Sequence, residues 1–111
     1  MNVQEIITNN YACFHIIESS RRAVAELSQI KDKLYYFNRL LVDEKIRNKG
    51  YAHKLLQAVV KWANQEKIII LLDINPYGDL NYNQLLKFYF KYGFTIKNKK
   101  HRTLIRNAQI I

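Results

Sequence analysis

The sequence predicts an α+β fold: a mixed, mostly antiparallel sheet carrying two helices. Three observations lead there. Residues 11–42 read as short aromatic and β-branched runs separated by tight turns, the pattern of an antiparallel meander. From Gly50 the apolar period lengthens to that of a helix. The continuously apolar run Ile68 to Leu72 then fits a strand buried on both faces, so strand, helix and strand make a right-handed βαβ unit.

Each element follows from its residues. "YACFHIIE" (11–18) is a strand by composition. "RRAVAELSQI" (21–30) alternates Ala23, Ala25 and Leu27, and Ser19-Ser20 before it forms a hairpin turn. Lys31-Asp32-Lys33 is the next turn, and "LYYFNRLLV" (34–42) the third strand. In the helix that follows, Ala52, Leu55, Leu56, Val59 and Ala63 form one apolar face. "KIIILLDIN" (67–75) is the buried strand, and "PYGD" (76–79) a turn. Asn81 with Gln84 three residues on is a capping box that opens a second helix, and Gly93 closes it. "FTIK" (94–97) and "TLIRNAQII" (103–111) are closing strands around the turn "NKKHR" (98–102). The expected order is β-β-β-α-β-α-β-β.

The chain of 111 residues suits one domain spanning 1–111. An apolar share of 49% excludes disorder, and 3 Gly with 1 Pro leave no linker. The longest apolar run is too short to span a membrane, and the N-terminus lacks a signal-peptide pattern. A lone Cys13 offers neither an intrachain disulfide nor a metal cluster, so no metal is expected. Together these place the chain in the cytoplasm, with no membrane partner. The net charge of +9 is uneven. Residues 1–44 carry five Lys/Arg against six Asp/Glu, whereas residues 45–111 carry thirteen against three. That basic part attracts phosphates, nucleic acid or an acidic partner.

The excess begins at "IRNKGYAHKLL" (46–56), a turn from strand to helix. Such a turn presents backbone N–H groups to an anion. It is not a P-loop, because His53-Lys54 stands where Lys-Ser/Thr is needed. It is not a dinucleotide fingerprint, which needs three glycines. Arg47-Asn48-Lys49-Gly50-Tyr51-Ala52 instead has the form [Q/R]-x-x-G-x-[G/A]. Farther on, Tyr89-Phe90-Lys91-Tyr92-Gly93-Phe94 has the form Y-x-K-x-G-F on a helix after a buried strand.

The two motifs resemble the GCN5-related N-acetyltransferases, the GNAT superfamily, over residues 34–107. The resemblance implies a minimal GNAT fold and acetyl-CoA as cosubstrate. It implies that Arg47, Asn48, Lys49, Gly50, Tyr51 and Ala52 cradle the pyrophosphate. Leu41 and Val42 would pair their backbone with the pantetheine arm, and the sheet would splay after Val42 to make a V-shaped cleft. Asn81 and Asn83 would reach the cofactor. Tyr89 would protonate the leaving thiolate while an amine-bearing acceptor, small molecule or protein, attacks the thioester. The position where family members often carry a basic Glu holds Tyr36, so Asp73 is the candidate general base, with Glu44, His15 or ordered water as alternatives. Residues 1–10 cannot hold the helices that usually follow the family's first strand. The edges this exposes favour a homodimer. Two other readings stand beside the enzyme: an inactive acyl-CoA-binding module, and a small basic nucleic-acid-binding domain.

Overall fold

A computed structural model describes residues 2–75 and 80–109 of the chain. The turn expected at 76–79 lies outside the described residues, as do residues 110 and 111. Among the described residues seven strands form one sheet in the order β1-β2-β3-β4-β5-β7-β6. β1 (Gln4–Ile7), β2 (Tyr11–Glu18), β3 (Arg21–Lys31) and β4 (Leu34–Val42) run as an antiparallel meander. A 3-10 turn (Glu44–Ile46) and α1 (Tyr51–Glu66) lead to β5 (Ile69–Asp73), which lies parallel to β4. After α2 (Tyr82–Phe90), β6 (Thr95–Asn98) turns back into β7 (Thr103–Arg106), which inserts beside β5.

The turns explain the meander. Ser19 and Ser20 both adopt positive φ, at 48° and 67°, which matches the twist of a two-residue hairpin. The core lies between one sheet face and α1. Phe14 and Tyr35 meet Trp62 of α1 with ring centroids 5.7 and 5.0 Å away. Leu55, Leu56, Val59 and Ala63 are fully buried on the same helix, so the apolar stripe read from the period is the face that packs. The helix ends at Lys67, which is left-handed (φ 57°) and donates its N–H to the Ala63 carbonyl. α2 ends near Gly93 at φ 90°, where a Cβ would come within 3.1 Å of Gln109 Nε2.

Several elements differ from expectation. β1 was not expected, because all four of its residues are exposed and carry no alternation; it exists through pairing with β2. No helix lies between β1 and β2. β5 is shorter than 67–75, because Lys67 belongs to the helix cap, and β7 ends at Arg106. The sheet also splays earlier than Val42. Pairing of β4 with β5 stops at Tyr36 opposite Leu71, while β4 runs on beside β3. A bulge lies just past that point: Leu27 opposes Phe37 and Glu26 opposes Arg39, leaving Asn38 unmatched. The bulge shifts the alternation, so buried positions pass from Tyr35 and Phe37 to Leu40.

Candidate functional site

Two adjoining clefts open on the edge where β4 and β5 end. Both are walled by the end of β4 on one side and α2 on the other. The larger, of about 430 Å³, sits over the start of α1 and includes Arg47, Asn48, Gly50 and Ala52 in its lining. Gly50 is the N-cap of α1, with φ 78° and no side chain to satisfy the helix N–H groups. Nothing lies within 4 Å of where its Cβ would be. Asn48 is also left-handed, at φ 64°. Bare N–H groups at the positive end of a 16-residue helix therefore face open space, which is what a phosphate needs. Gln84 and Phe88 of α2, with Leu80 and His53, complete the wall.

The smaller cleft, of about 220 Å³, lies in the splay itself and includes Tyr36, Arg39, Leu41, Asp73, Asn75 and Tyr89 in its lining. Here β4 has lost β5 as a neighbour, so an extended ligand can take the vacated side. The Asp43 N–H donates to Arg22 of β3, and by alternation Val42 turns its backbone toward the cleft and Leu41 toward β3. The Val42 carbonyl accepts from Arg47 Nε at 3.0 Å. Tyr89 is buried, with its ring against Phe37, Phe88 and Phe94.

Asp73 is held from both sides. Its Oδ2 accepts from the Tyr36 hydroxyl at 2.8 Å and its Oδ1 from the Thr103 hydroxyl at 2.9 Å. Burial and the bond to Asp73 push the Tyr36 phenol above its ordinary value, so it stays protonated at neutral pH. Sequence reasoning placed Tyr36 where a basic Glu often stands but gave it no role. Its contact with Asp73 arises only from the parallel register of β4 and β5.

Some expected contacts point elsewhere. Lys49 is not among the residues lining either cleft. Its ammonium lies 2.6 Å from Glu18 Oε2, and Tyr51 donates its hydroxyl to Glu18 Oε1 at 2.9 Å. These bonds lower the Glu18 pKa, Lys49 first and Tyr51 second, and raise those of both partners. Tyr51 still borders the larger cleft. Asn81 spends its side chain on the Gln84 N–H while Gln84 returns to the Asn81 N–H, each at 2.9 Å, so the capping box forms. Asn83 is exposed on α2, outside both linings. His15 and Cys13 are buried in β2. Glu44 lies in the 3-10 turn, also outside both linings. Among the described residues no group of three or more His, Cys, Asp or Glu could hold a metal ion. Nor is any helix among them long and apolar enough to cross a membrane.

Comparison with known proteins gives the arrangement a context. The sequence model of a family described as "Acetyltransferase (GNAT) domain" matches residues 10–96. No curated protein matches the chain. Among solved structures, the ribosomal-protein-S18-alanine N-acetyltransferase from Escherichia coli superposes with a TM-score of 0.72 at 12% identity, covering 95% of this chain and 74% of its own. The PaiA N-acetyltransferase from Thermoplasma acidophilum, solved in complex with coenzyme A, gives 0.69 at 16% identity over 89% and 62%. The anti-CRISPR protein AcrVA5 gives 0.62 at 17% identity over 95% of this chain and 98% of its own. At these identities the likeness is one of fold.

Proposed function

The chain belongs to the GNAT acetyltransferase family, N-acetyltransferases that use acetyl-CoA as cosubstrate, and from that premise we propose how its own residues divide the reaction. The Gly50 turn and the start of α1 take the pyrophosphate through backbone N–H groups. Arg47 braces the turn against Val42 and adds charge. The pantetheine arm lies along the freed side of β4, beside Val42. This orientation delivers the thioester to the smaller cleft. There the acceptor nitrogen attacks the carbonyl carbon, the carbon–sulfur bond breaks, and Tyr89 gives its proton to the departing sulfur. A phenol is protonated throughout the neutral range and is therefore available as a donor. Asp73 is the destination of the proton that nitrogen loses. A backbone N–H near the bulge in β4 stabilises the carbonyl oxygen as it gains charge.

One observation carries this reading. The splay of β4 from β5 sets Tyr89 and Asp73 in one cleft, continuous along β4 with the anion turn at Gly50. Lys49 and Asn81 are left out of the cofactor contacts, since Glu18 and the helix cap occupy their side chains.

Tyr89→Phe tests it. Acetyl-CoA should raise the melting temperature of both proteins equally, because the hydroxyl is not used for binding. Thioester turnover with an amine acceptor should fall on the order of a hundredfold in the variant. Equal turnover would remove Tyr89 from the chemistry. No thermal shift with saturating coenzyme A would remove the whole assignment.

A further inference from the structure

The basic excess of the chain is concentrated at one end of the molecule. Residues 80–109, which build α2, β6 and β7, carry seven Lys/Arg and no Asp/Glu. Elsewhere Arg21, Arg39 and Lys49 each face a carboxylate, that of Asp43, Glu26 and Glu18 respectively. Lys87, Lys91, Lys97, Lys99 and Lys100 are all exposed, and none of them forms an ion pair among the described residues.

The fold puts these lysines on one surface. Asn83, Lys87, Phe90 and Lys91 are exposed at helical spacing, so they form a stripe on α2 away from its buried Leu85 and Tyr89. From Lys91 the chain turns at Gly93 into β6, the outermost strand of the sheet, and all four residues of β6 are exposed. The turn after β6 returns to the start of α2, where the Arg102 guanidinium lies 4.5 Å from the centre of the Tyr82 ring. α2 and β6 are therefore joined at both ends and lie side by side. The turn that carries Lys99 and Lys100 is itself held. The His101 N–H donates to the Asn98 side chain at 3.1 Å, and the Arg102 N–H to the Lys99 carbonyl at 3.3 Å. None of the five lysines lines either cleft.

Such a surface discriminates among acidic partners. Interfaces between proteins are depleted of Lys, whose ammonium is strongly hydrated and whose long stem loses rotamer freedom on docking. Phosphates of a nucleic-acid backbone suit it better, because each lysine that neutralises one releases a condensed counterion. Phe90, on the same stripe, is 45% exposed and offers a ring face to an unpaired base. A duplex keeps its base faces stacked on one another. We propose that the face formed by α2 and β6 binds single-stranded nucleic acid, the five lysines holding phosphates and Phe90 a base. This binding stands apart from acetyl transfer and uses neither cleft.

The test is fluorescence anisotropy of the full chain with a labelled oligothymidylate of about 20 nucleotides and with a duplex of equal length. Five phosphate contacts predict that binding weakens on the order of a hundredfold between about 50 and 200 mM salt. Lys97→Gln combined with Lys99→Gln should weaken the single strand on the order of tenfold. Lys31→Gln combined with Lys61→Gln removes the same charge from exposed positions elsewhere and should stay within about threefold. Phe90→Ala should weaken the single strand on the order of tenfold and leave the duplex unchanged. Saturating coenzyme A should not displace the strand. Equal losses in the two double variants reduce the binding to net charge and overturn the proposal. So does displacement by coenzyme A, which places the strand in the cofactor clefts. Equal effects of Phe90→Ala on strand and duplex overturn the single-stranded class, and competition by polyglutamate as strong as by the strand makes the partner an acidic protein. Failure to bind the strand at about 50 mM salt overturns the proposal outright and leaves the coenzyme A thermal shift, and the acetyltransferase reading with it, untouched.

Discussion

The Tyr36 hydroxyl donates to Asp73 Oδ2 at 2.8 Å, joining β4 to β5 just beyond the point where their backbone pairing ends. A side-chain bond thus holds the narrow end of the cleft where the backbone no longer can. Asp73→Asn should weaken this join, because an amide offers one accepting oxygen to two hydroxyl donors. We expect a loss of about 1–2 kcal/mol in urea unfolding. Turnover should fall while coenzyme A binding, measured by calorimetry, is retained. Loss of coenzyme A binding would place Asp73 in the fold of the cofactor cleft rather than in the chemistry.

Gly50 is the position where the two demands on the turn coincide. Its φ of 78° costs an L-residue about 1–2 kcal/mol, and its missing Cβ leaves the space beside the start of α1 open for the proposed pyrophosphate. Gly50→Ala should therefore lose about 1 kcal/mol of stability and weaken coenzyme A at least tenfold. Isothermal titration beside a chemical melt separates the two effects. A variant that is destabilised but binds coenzyme A normally would show that the turn needs the conformation and not the space.

Asn81→Ala is a contrasting case. It removes one arm of a complete capping box and should cost about 1 kcal/mol. Coenzyme A affinity should be unchanged, since the Asn81 side chain is already committed to the Gln84 N–H. A tenfold weaker Kd would return Asn81 to the cofactor site.

The carboxylates and phenols set both limits of the pH range. Tyr11 and Arg39 both donate to Glu26, and they hold its pKa below the usual carboxylate range, Tyr11 contributing most. A depressed carboxylate stabilises the fold above its unfolded pKa of about 4.5 and loses that contribution as pH falls through the folded value. Tyr35 and Tyr36 are raised, mainly by burial, so their contribution is full below about pH 10 and is lost above it. Urea midpoints should be flat between about pH 5 and 9 and fall on either side. Glu26→Gln should be less stable than the unaltered chain at pH 7 by about 1 kcal/mol, with the difference shrinking as pH falls through the depressed folded value of Glu26. A constant difference across that range would rule out titration of Glu26 as the cause.

Local chemistry made much of the protein legible in its sequence. The apolar period from Gly50 predicted α1, and the stripe it named is the buried face. Asn81 and Gln84 predicted a cap because a capping box needs only four consecutive residues. Ser19-Ser20 predicted a hairpin because two positive φ angles are a property of the turn itself. Gly50 and Tyr89 stood out because their motifs are contiguous.

What depends on register was not legible. β1 is exposed throughout, so it is a strand only because β2 supplies its hydrogen bonds. The bulge at Asn38 and the parting of β4 from β5 at Tyr36 follow from how long neighbouring strands stay in step. The destinations of Lys49 and Tyr36 follow in turn, since Glu18 and Asp73 reach them from strands distant in sequence. The sequence by itself determined the helices, the Ser19-Ser20 hairpin and the Gly50 turn, whose energetics close within a few residues. Only the tertiary structure decided where the cleft opens and that the Tyr36 hydroxyl meets Asp73 at its end, because strand pairing across the sheet positions both.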